Sequence, residues 1–227
     1  MSYLSKEYKK HYLKEKNIYP SIFALKFFLG KNPNLSLNKN SFKGKKIIDI
    51  GFGDGRDISL FIDLGFETYG VEIDEEIVQH TKNKLYSRDS KLKLILGTND
   101  NTGFEQNFFD YVYSNAALMY LKDTQTNLEK ILQHIYEITN FGGNFFGTFT
   151  GRDSHITKNA TCLNSNIIKV KDEYYKFREG QLYHIHNSIE EVEIDLKKVG
   201  FKDINVYEYN VNWFGTKEHL YIFNCKK

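Results

Sequence analysis

The spacing of apolar positions changes several times along the chain, and each change marks an element. Tyr8, Tyr12 and Leu13 recur at helical spacing within Tyr3 to Lys16. Ile22 to Leu29 reads as a second helix, with Ser21 as its N-cap and Gly30 as its stop. Asn32 to Gly44 is polar and turn-rich. From Lys45 short β-branched runs alternate with helical patterns. Strands are expected at Lys46 to Ile50, Thr68 to Glu72, Lys93 to Leu96, Tyr111 to Ser114 and Asn144 to Thr150, the last after the Gly142-Gly143 turn. Helices are expected at Asp57 to Leu64, Asp74 to Leu85 and Thr124 to Thr139, the last with Leu128, Ile131, Leu132, Ile135 and Ile138 on one face. Such alternation predicts an α/β fold: a parallel sheet with right-handed crossovers and helices on both faces. The end of the chain departs from it. After a helix over Ser188 to Val199, opened by a Ser188–Glu191 capping box and stopped at Gly200, two strands follow with only a loop between them, Asp203 to Val211 and His219 to Asn224. These two are expected to pair antiparallel at the sheet edge.

At 227 residues the pattern fits one domain. Its expected parts are a helical cap over 1–44, a core over 45–150, a lid or substrate insertion over 151–187, and a C-terminal helix and strand pair over 188–227. A formal charge of +2 gives no electrostatic case for nucleic acid or an anionic membrane. Cys162 and Cys225 are far apart in no metal-ligand spacing and read as reduced thiols. The polar, lysine-rich start does not read as a signal peptide, and Ile22 to Leu29 is too short to span a bilayer, so a cytoplasmic protein is expected.

The chemistry concentrates in Asp49-Ile50-Gly51-Phe52-Gly53-Asp54-Gly55-Arg56. Three glycines at every second position let the backbone approach a ligand, and the helix after them offers unpaired N–H groups. Glu72, at the end of the next strand and 17 residues past Gly55, is placed to hold a ribose. A dinucleotide turn would carry its third glycine where Arg56 stands. Acids at Asp49 and Asp54 suit a ligand with a cationic amine better than a pyrophosphate, although Asp54 is also a candidate helix cap.

This stretch, with Val71-Glu72-Ile73, Gly97-Thr98-Asn99, Phe109 to Asn115 and Asn140-Phe141-Gly142-Gly143 downstream, resembles the class I S-adenosylmethionine-dependent methyltransferases. The resemblance covers Lys45 to Thr150, and the family's last helix and reversed strand pair match 188–227. It implies a Rossmann-like seven-stranded sheet with a reversed C-terminal strand pair. It also implies S-adenosyl-L-methionine as cofactor and S-adenosyl-L-homocysteine as product. Gly51 and Gly53 would pack on the methionine part, Asp49 would hold its amino group, Glu72 would take both ribose hydroxyls, and Ile73 would cover the adenine. Thr98 stands where the family has the acid that receives the adenine amino group, and the Asn99 backbone would reach the same ring. Phe52, Gly55, Arg56 and Asn115 complete the expected cofactor set.

The acceptor is less legible. His184 and His186 alternate on a possible strand before the final helix, so both would point the same way, and they are the candidate bases for a hydroxyl acceptor. A bland alternative is a hydrogen-bonded histidine near a helix start. An anionic oxygen would need no base and would want Arg152 or Arg178 to orient it. Tyr12, Tyr19 and Tyr120 are further candidates for the acceptor wall, and Tyr8 and Phe23 would help the first helices close over the cofactor. Asn115-Ala116-Ala117-Leu118 replaces the Asn-Pro-Pro-Tyr of DNA and protein-glutamine amino methyltransferases. Asp110 and Asp123 alone do not make a metal cluster, so no metal is expected. The expectation is methyl transfer to an oxygen of a small molecule, such as a sugar nucleotide, phosphate-type group or surface-glycan (capsule) precursor. Its rivals are an NAD-type oxidoreductase and a non-catalytic cofactor-binding protein.

Overall fold

The computed structural model describes residues 6–14, 18–35, 37 and 42–227. The parts of the expected first helix before Lys6 and over 15–16 lie outside the described residues. Two short helices, α1 (Lys6–Tyr12) and α2 (Ile22–Phe28), precede the sheet. Ser21 caps α2 as expected, accepting from the Ala24 amide at 3.1 Å.

The core then runs β1 (Lys46–Ile50), α3 (Arg56–Asp63), β2 (Glu67–Glu72), α4 (Glu75–Leu85), β3 (Lys93–Leu96) and β4 (Phe109–Ser114). After β5 (Tyr120–Leu121) come α5 (Leu128–Ile138) and β6 (Thr139–Thr150). The chain ends with α6 (Ile189–Lys198), β10 (Lys202–Trp213) and β11 (Thr216–Lys226). The main sheet has seven strands in the order β3-β2-β1-β4-β6-β11-β10. The first five are parallel, while β11 runs antiparallel to both β6 and β10. The predicted architecture and its reversed pair are therefore present.

The sheet is covered on both faces, as its two-sided burial demands. One face packs Leu128, Ile131, Leu132, Ile135 and Ile138 of α5 and Val192 and Leu196 of α6 against Ile48, Val112, Phe145 and Phe223. The other packs Phe28 of α2 and Phe61 of α3 against Ile47, Tyr113 and Phe146. Asp110 has a structural role, accepting from the Lys46 amide at 3.0 Å and from Lys45 Nζ at 3.1 Å.

The segment expected as a lid is more regular than a loop. It holds β7 (Thr161–Cys162), β8 (Ile167–Lys169) and β9 (Leu182–His184), which join β5 in a four-stranded antiparallel sheet ordered β5-β9-β8-β7. Each of these strands is three residues or shorter, below the length at which alternation is readable in sequence. Among the described residues no helix is long and apolar enough to cross a membrane.

Candidate functional site: an acidic cleft at the carboxyl ends of the parallel strands

The cleft opens where β1 ends. Gly51 turns the chain with φ +77° and donates its amide to Val71 O at 2.8 Å. A Cβ on Gly51 would stand 2.3 Å from Ala117 Cβ, so the position admits only glycine. Gly53, at φ +53°, lies under the ring of Tyr12, and a Cβ there would meet that ring at 2.5 Å. Gly55 is the N-cap of α3 in the left-handed region and makes no side-chain cap. Asp54, the expected cap candidate, instead holds Arg56: Nε donates to Oδ1 at 2.9 Å and Nη2 to Oδ2 at 2.7 Å.

Two adjoining hollows share Gly51. The smaller, about 400 Å³, is lined by Tyr8, Ile50, Val71, Glu72, Ile73, Gly97, Thr98, Asn99, Ala117 and Tyr120. Glu72 is fully buried at its mouth, with Oε2 accepting from Gly53 N at 3.1 Å and Oε1 from Ile73 N at 2.8 Å. Both oxygens keep lone pairs for two hydroxyl donors. Burial raises its carboxyl from the ordinary 4.5 to about 7, against the pull of those two amides. Thr98 donates its hydroxyl to Asp100 Oδ1 at 2.6 Å. Asn99 fastens to the carbonyls of Ala117 and Tyr120 at 3.3 and 3.1 Å, so its side chain positions the opposite wall.

The larger hollow, about 1130 Å³ and open to solvent, takes in Tyr12, Phe23, Asp49, Phe52, Gly53, Asp54, Arg56, Asp57, Asn115, His155, Phe177, Arg178 and Tyr183. Burial pushes the Asp49 carboxyl well up, and its acid neighbours Asp57, Glu72 and Asp54 push it further. Asp57 accepts from the Ser21 amide at 2.7 Å, the Ser21 hydroxyl at 2.9 Å and the Tyr113 hydroxyl at 2.9 Å. Four carboxyl groups thus converge, with Arg56 paired to Asp54 among them. A cation arriving there relieves their mutual repulsion.

The roof is aromatic. The Tyr8 ring lies 4.8 Å from Tyr12, 6.2 Å from Tyr120 and 6.3 Å from Phe177, and Lys9 ties α1 down through Asp74 at 2.9 Å and Glu76 at 2.8 Å. Tyr8, Tyr12, Tyr120 and Phe23 stand where the sequence placed them; Tyr19 does not, with 75% of its surface exposed and no part in either hollow.

The two arginines separate. Arg178 reaches the larger hollow, its guanidinium 3.9 Å above the Phe177 ring. Its Nη1 is buried, 3.7 Å from Glu173 and without a hydrogen-bond partner among the described residues. Arg152 points elsewhere and donates to Asn187 Oδ1 and the Ser165 carbonyl.

His184 and His186 are a correction. They do share a face, but that face is turned from the cleft. Tyr183, the residue just before them, has the opposite parity, takes the cleft side and lines the larger hollow. His184 lines a separate hollow beside α6, and His186 is fully buried against the rings of Phe149 and Tyr221. Alternation fixes parity along a strand but not which face is inward. Burial, with His186 beside it, lowers His184 to about 4, so it is neutral at pH 7.

His155, to which no role was assigned from the sequence, lines the larger hollow. Its Nδ1 lies 2.9 Å from the Lys217 carbonyl, and a carbonyl only accepts, so Nδ1 carries the proton. Nε2 is left as a buried lone pair without a partner among the described residues. His11 also lines this hollow, stacked on Phe177 at 4.6 Å. No sequence signal distinguished either histidine.

Comparison with known proteins agrees with this geometry. A family described as "Methyltransferase domain" matches residues 48–147, the stretch from β1 into β6 that carries the glycine turn and Glu72. Over that stretch the chain is similar to methyltransferase domains. The chain is 28% identical over 141 residues to phosphoethanolamine N-methyltransferase 2 of Caenorhabditis elegans, a match covering 59% of this chain and 31% of the relative. It is 30% identical over 151 residues to a demethylmenaquinone methyltransferase of Geobacillus, with 62% of each chain covered. The chain thus spans about a third of the length of the first relative and less than two thirds of the second. In fold it is similar to an S-adenosylmethionine-dependent methyltransferase of Methanosarcina mazei, with TM-score 0.64 and 17% identity over 85% of this chain and 98% of that one.

The cleft fits the cofactor of that family. Glu72 would offer two oxygens to a ribose, Ile73 and Tyr8 line the hollow beside it, and the Asp49 side of the cleft would accept a sulfonium and an amine. S-adenosylmethionine supplies an activated methyl group when bound. An NAD-type cofactor is a poorer match, because its pyrophosphate would face Asp49, Asp54 and Asp57.

Proposed function

We propose that this chain transfers the methyl group of S-adenosylmethionine to an oxygen of a small molecule that also carries an anionic group. The observation that carries the reading is Arg178, a half-buried cation in the hollow next to the cofactor slot, whose buried Nη1 makes no hydrogen bond among the described residues and has only the 3.7 Å ion pair to Glu173. A phosphate or carboxylate fits such a fork, with the tyrosines Tyr12, Tyr120 and Tyr183 around it.

Mechanistically the protein does four things. The acidic end of the slot and Glu72 hold the donor in one pose. Arg178 fixes the acceptor, so that the displacement at the methyl carbon is in line, and orientation supplies much of the rate. His155 Nε2 takes the proton of a hydroxyl acceptor, a role first expected of His184 and His186. The roof of Tyr8, Tyr12 and Phe177 excludes water.

A second reading, methylation of an amine tethered to the same anion, is favoured by the similarity to a phosphoethanolamine N-methyltransferase. Sugar-phosphate or glycan precursors and amino-alcohol phosphates are therefore the acceptors to compare. The test is transfer of an isotopically labelled methyl group to such a panel, with NMR locating the new methyl on oxygen or nitrogen. Arg178→Met is expected to raise the acceptor KM by about tenfold or more, for the loss of a charge-assisted pair, while leaving S-adenosylhomocysteine affinity unchanged. An unchanged KM would remove Arg178 from the acceptor site.

A further inference from the structure

Between β9 and α6, away from the methyl-transfer cleft, His184, His186 and Asp195 each bring one ligand atom to within 4.8 Å of the others. The histidines stand two apart and so lie on one face, with ring centroids 4.8 Å apart. Asp195 comes from the middle of α6, and its Oδ2 lies 3.0 Å from His186 Nε2. Two imidazoles and one carboxylate are a ligand set typical of zinc-type divalent ions.

We propose that this cluster is a binding site for a divalent transition metal of the zinc class. Three observations carry it. First, His184 Nε2 and His186 Nδ1 are buried nitrogens without hydrogen-bond partners among the described residues, an arrangement that burial ordinarily penalises. Second, the spacing is close to what an ion needs. Tetrahedral ligands at about 2.0–2.1 Å from zinc stand roughly 3.4 Å apart, so the His186–Asp195 pair is nearly in place and His184 needs only a small side-chain movement. Third, an entry path exists. His184 and Asp195 line an open hollow together with Glu191 and Asn166, and the Asp195 side chain is 34% exposed.

The exchange balances simply. The Nε2 proton of His186 now bridges to Asp195; the metal takes its place at Nε2 and the proton passes to the vacant Nδ1, so that His186 binds as a neutral imidazole. A water would fill the fourth position, since the Glu191 carboxylate is already engaged by Asn187 and Asn166. The sequence, in which Asp110 and Asp123 were the acids weighed, led to no expected metal, and this proposal departs from that expectation. A metal here joins β9 of the small sheet to α6 of the main layer, so its role is to fix one to the other.

The experiment uses the full chain, freed of metal by chelation and titrated with Co(II) followed by optical absorption and with Zn(II) followed by calorimetry. One equivalent is expected to bind, with visible cobalt bands of a tetrahedral nitrogen–oxygen set. At a hundredfold excess over Kd, Tm should rise by about 5 °C or more. His184→Ala and Asp195→Asn are each expected to weaken metal binding at least tenfold. Unchanged S-adenosylhomocysteine affinity in both variants shows that the fold is intact. Absence of stoichiometric binding by the folded wild-type chain would overturn the proposal, as would equal binding by both variants.

Discussion

The cofactor half and the acceptor half of the cleft are built in opposite ways. The floor of the cofactor half comes from one unbroken run, β1 through Ile73, in which the glycine turn, α3 and Glu72 follow one another within 30 residues, and Tyr8, Gly97 to Asn99, Ala117 and Tyr120 close it. The acceptor half is collected from α1, Asn115, His155 and the segment from Phe177 to Tyr183, which are distant in the chain. A site made from one supersecondary unit tolerates little change and accepts one ligand. A site gathered from distant short segments is free to vary, because no single turn geometry depends on it.

This contrast can be tested by how perturbations localise. The largest effect is expected for Gly51→Ala. The new Cβ would stand 2.3 Å from Ala117 in a left-handed backbone, and S-adenosylhomocysteine affinity should fall about 100-fold, about 2.7 kcal/mol. A calorimetric titration that finds less than a fivefold loss would mean that the turn is not the rigid floor described above. Next is Glu72→Ala, which removes both ribose acceptors. A loss of tenfold or more, about 1.4 kcal/mol, is expected in the same titration; an unchanged Kd would place the ribose elsewhere. The smallest effect is that of pH on the wild-type chain. Ribose hydroxyls need an acceptor, so the cofactor prefers ionised Glu72, whose carboxyl in the empty cleft titrates near 7. Affinity should be steady above that value and fall below it, approaching tenfold per pH unit. A flat profile from about pH 8 to about pH 6 would show that Glu72 is already ionised in the empty cleft. None of these changes should alter which acceptor is chosen, whereas Arg178→Met should alter only that.

The same contrast explains what the sequence made legible. The turn at Gly51, the acid at Glu72 and the reversed strand pair are written in local spacing, and all stand where they were expected. Asn115, Tyr12 and Tyr120 also line the cleft. Tyr19, Arg152 and the histidine pair did not follow, each for a tertiary reason. Arg152 has the same chemistry as Arg178, but its guanidinium is taken by Asn187 and Ser165. The histidines were paired correctly and faced wrongly, and Tyr183 was missed by the same error of parity. His155 was undecidable because its tautomer depends on the Lys217 carbonyl, 62 residues away in the chain. The strand expected from Asn144 begins earlier, at Thr139, because Phe109 pairs with Thr139 across an irregularity no pattern announces.

Helix α1 has a consequence for the clock of the enzyme. It is seven residues long, buries Tyr8 alone, and is anchored at Lys9 by an ion pair whose lysine and Glu76 are both accessible to solvent. Yet Tyr8 closes the nucleoside slot and Tyr12 covers Gly53. Under the proposed function the spent donor would leave past this short helix, and the dwell time of product would be set by how often it lifts. Ionic strength weakens the Lys9 anchor without touching the floor beneath it. Turnover and affinity in this cleft are thereby governed by different parts of the chain.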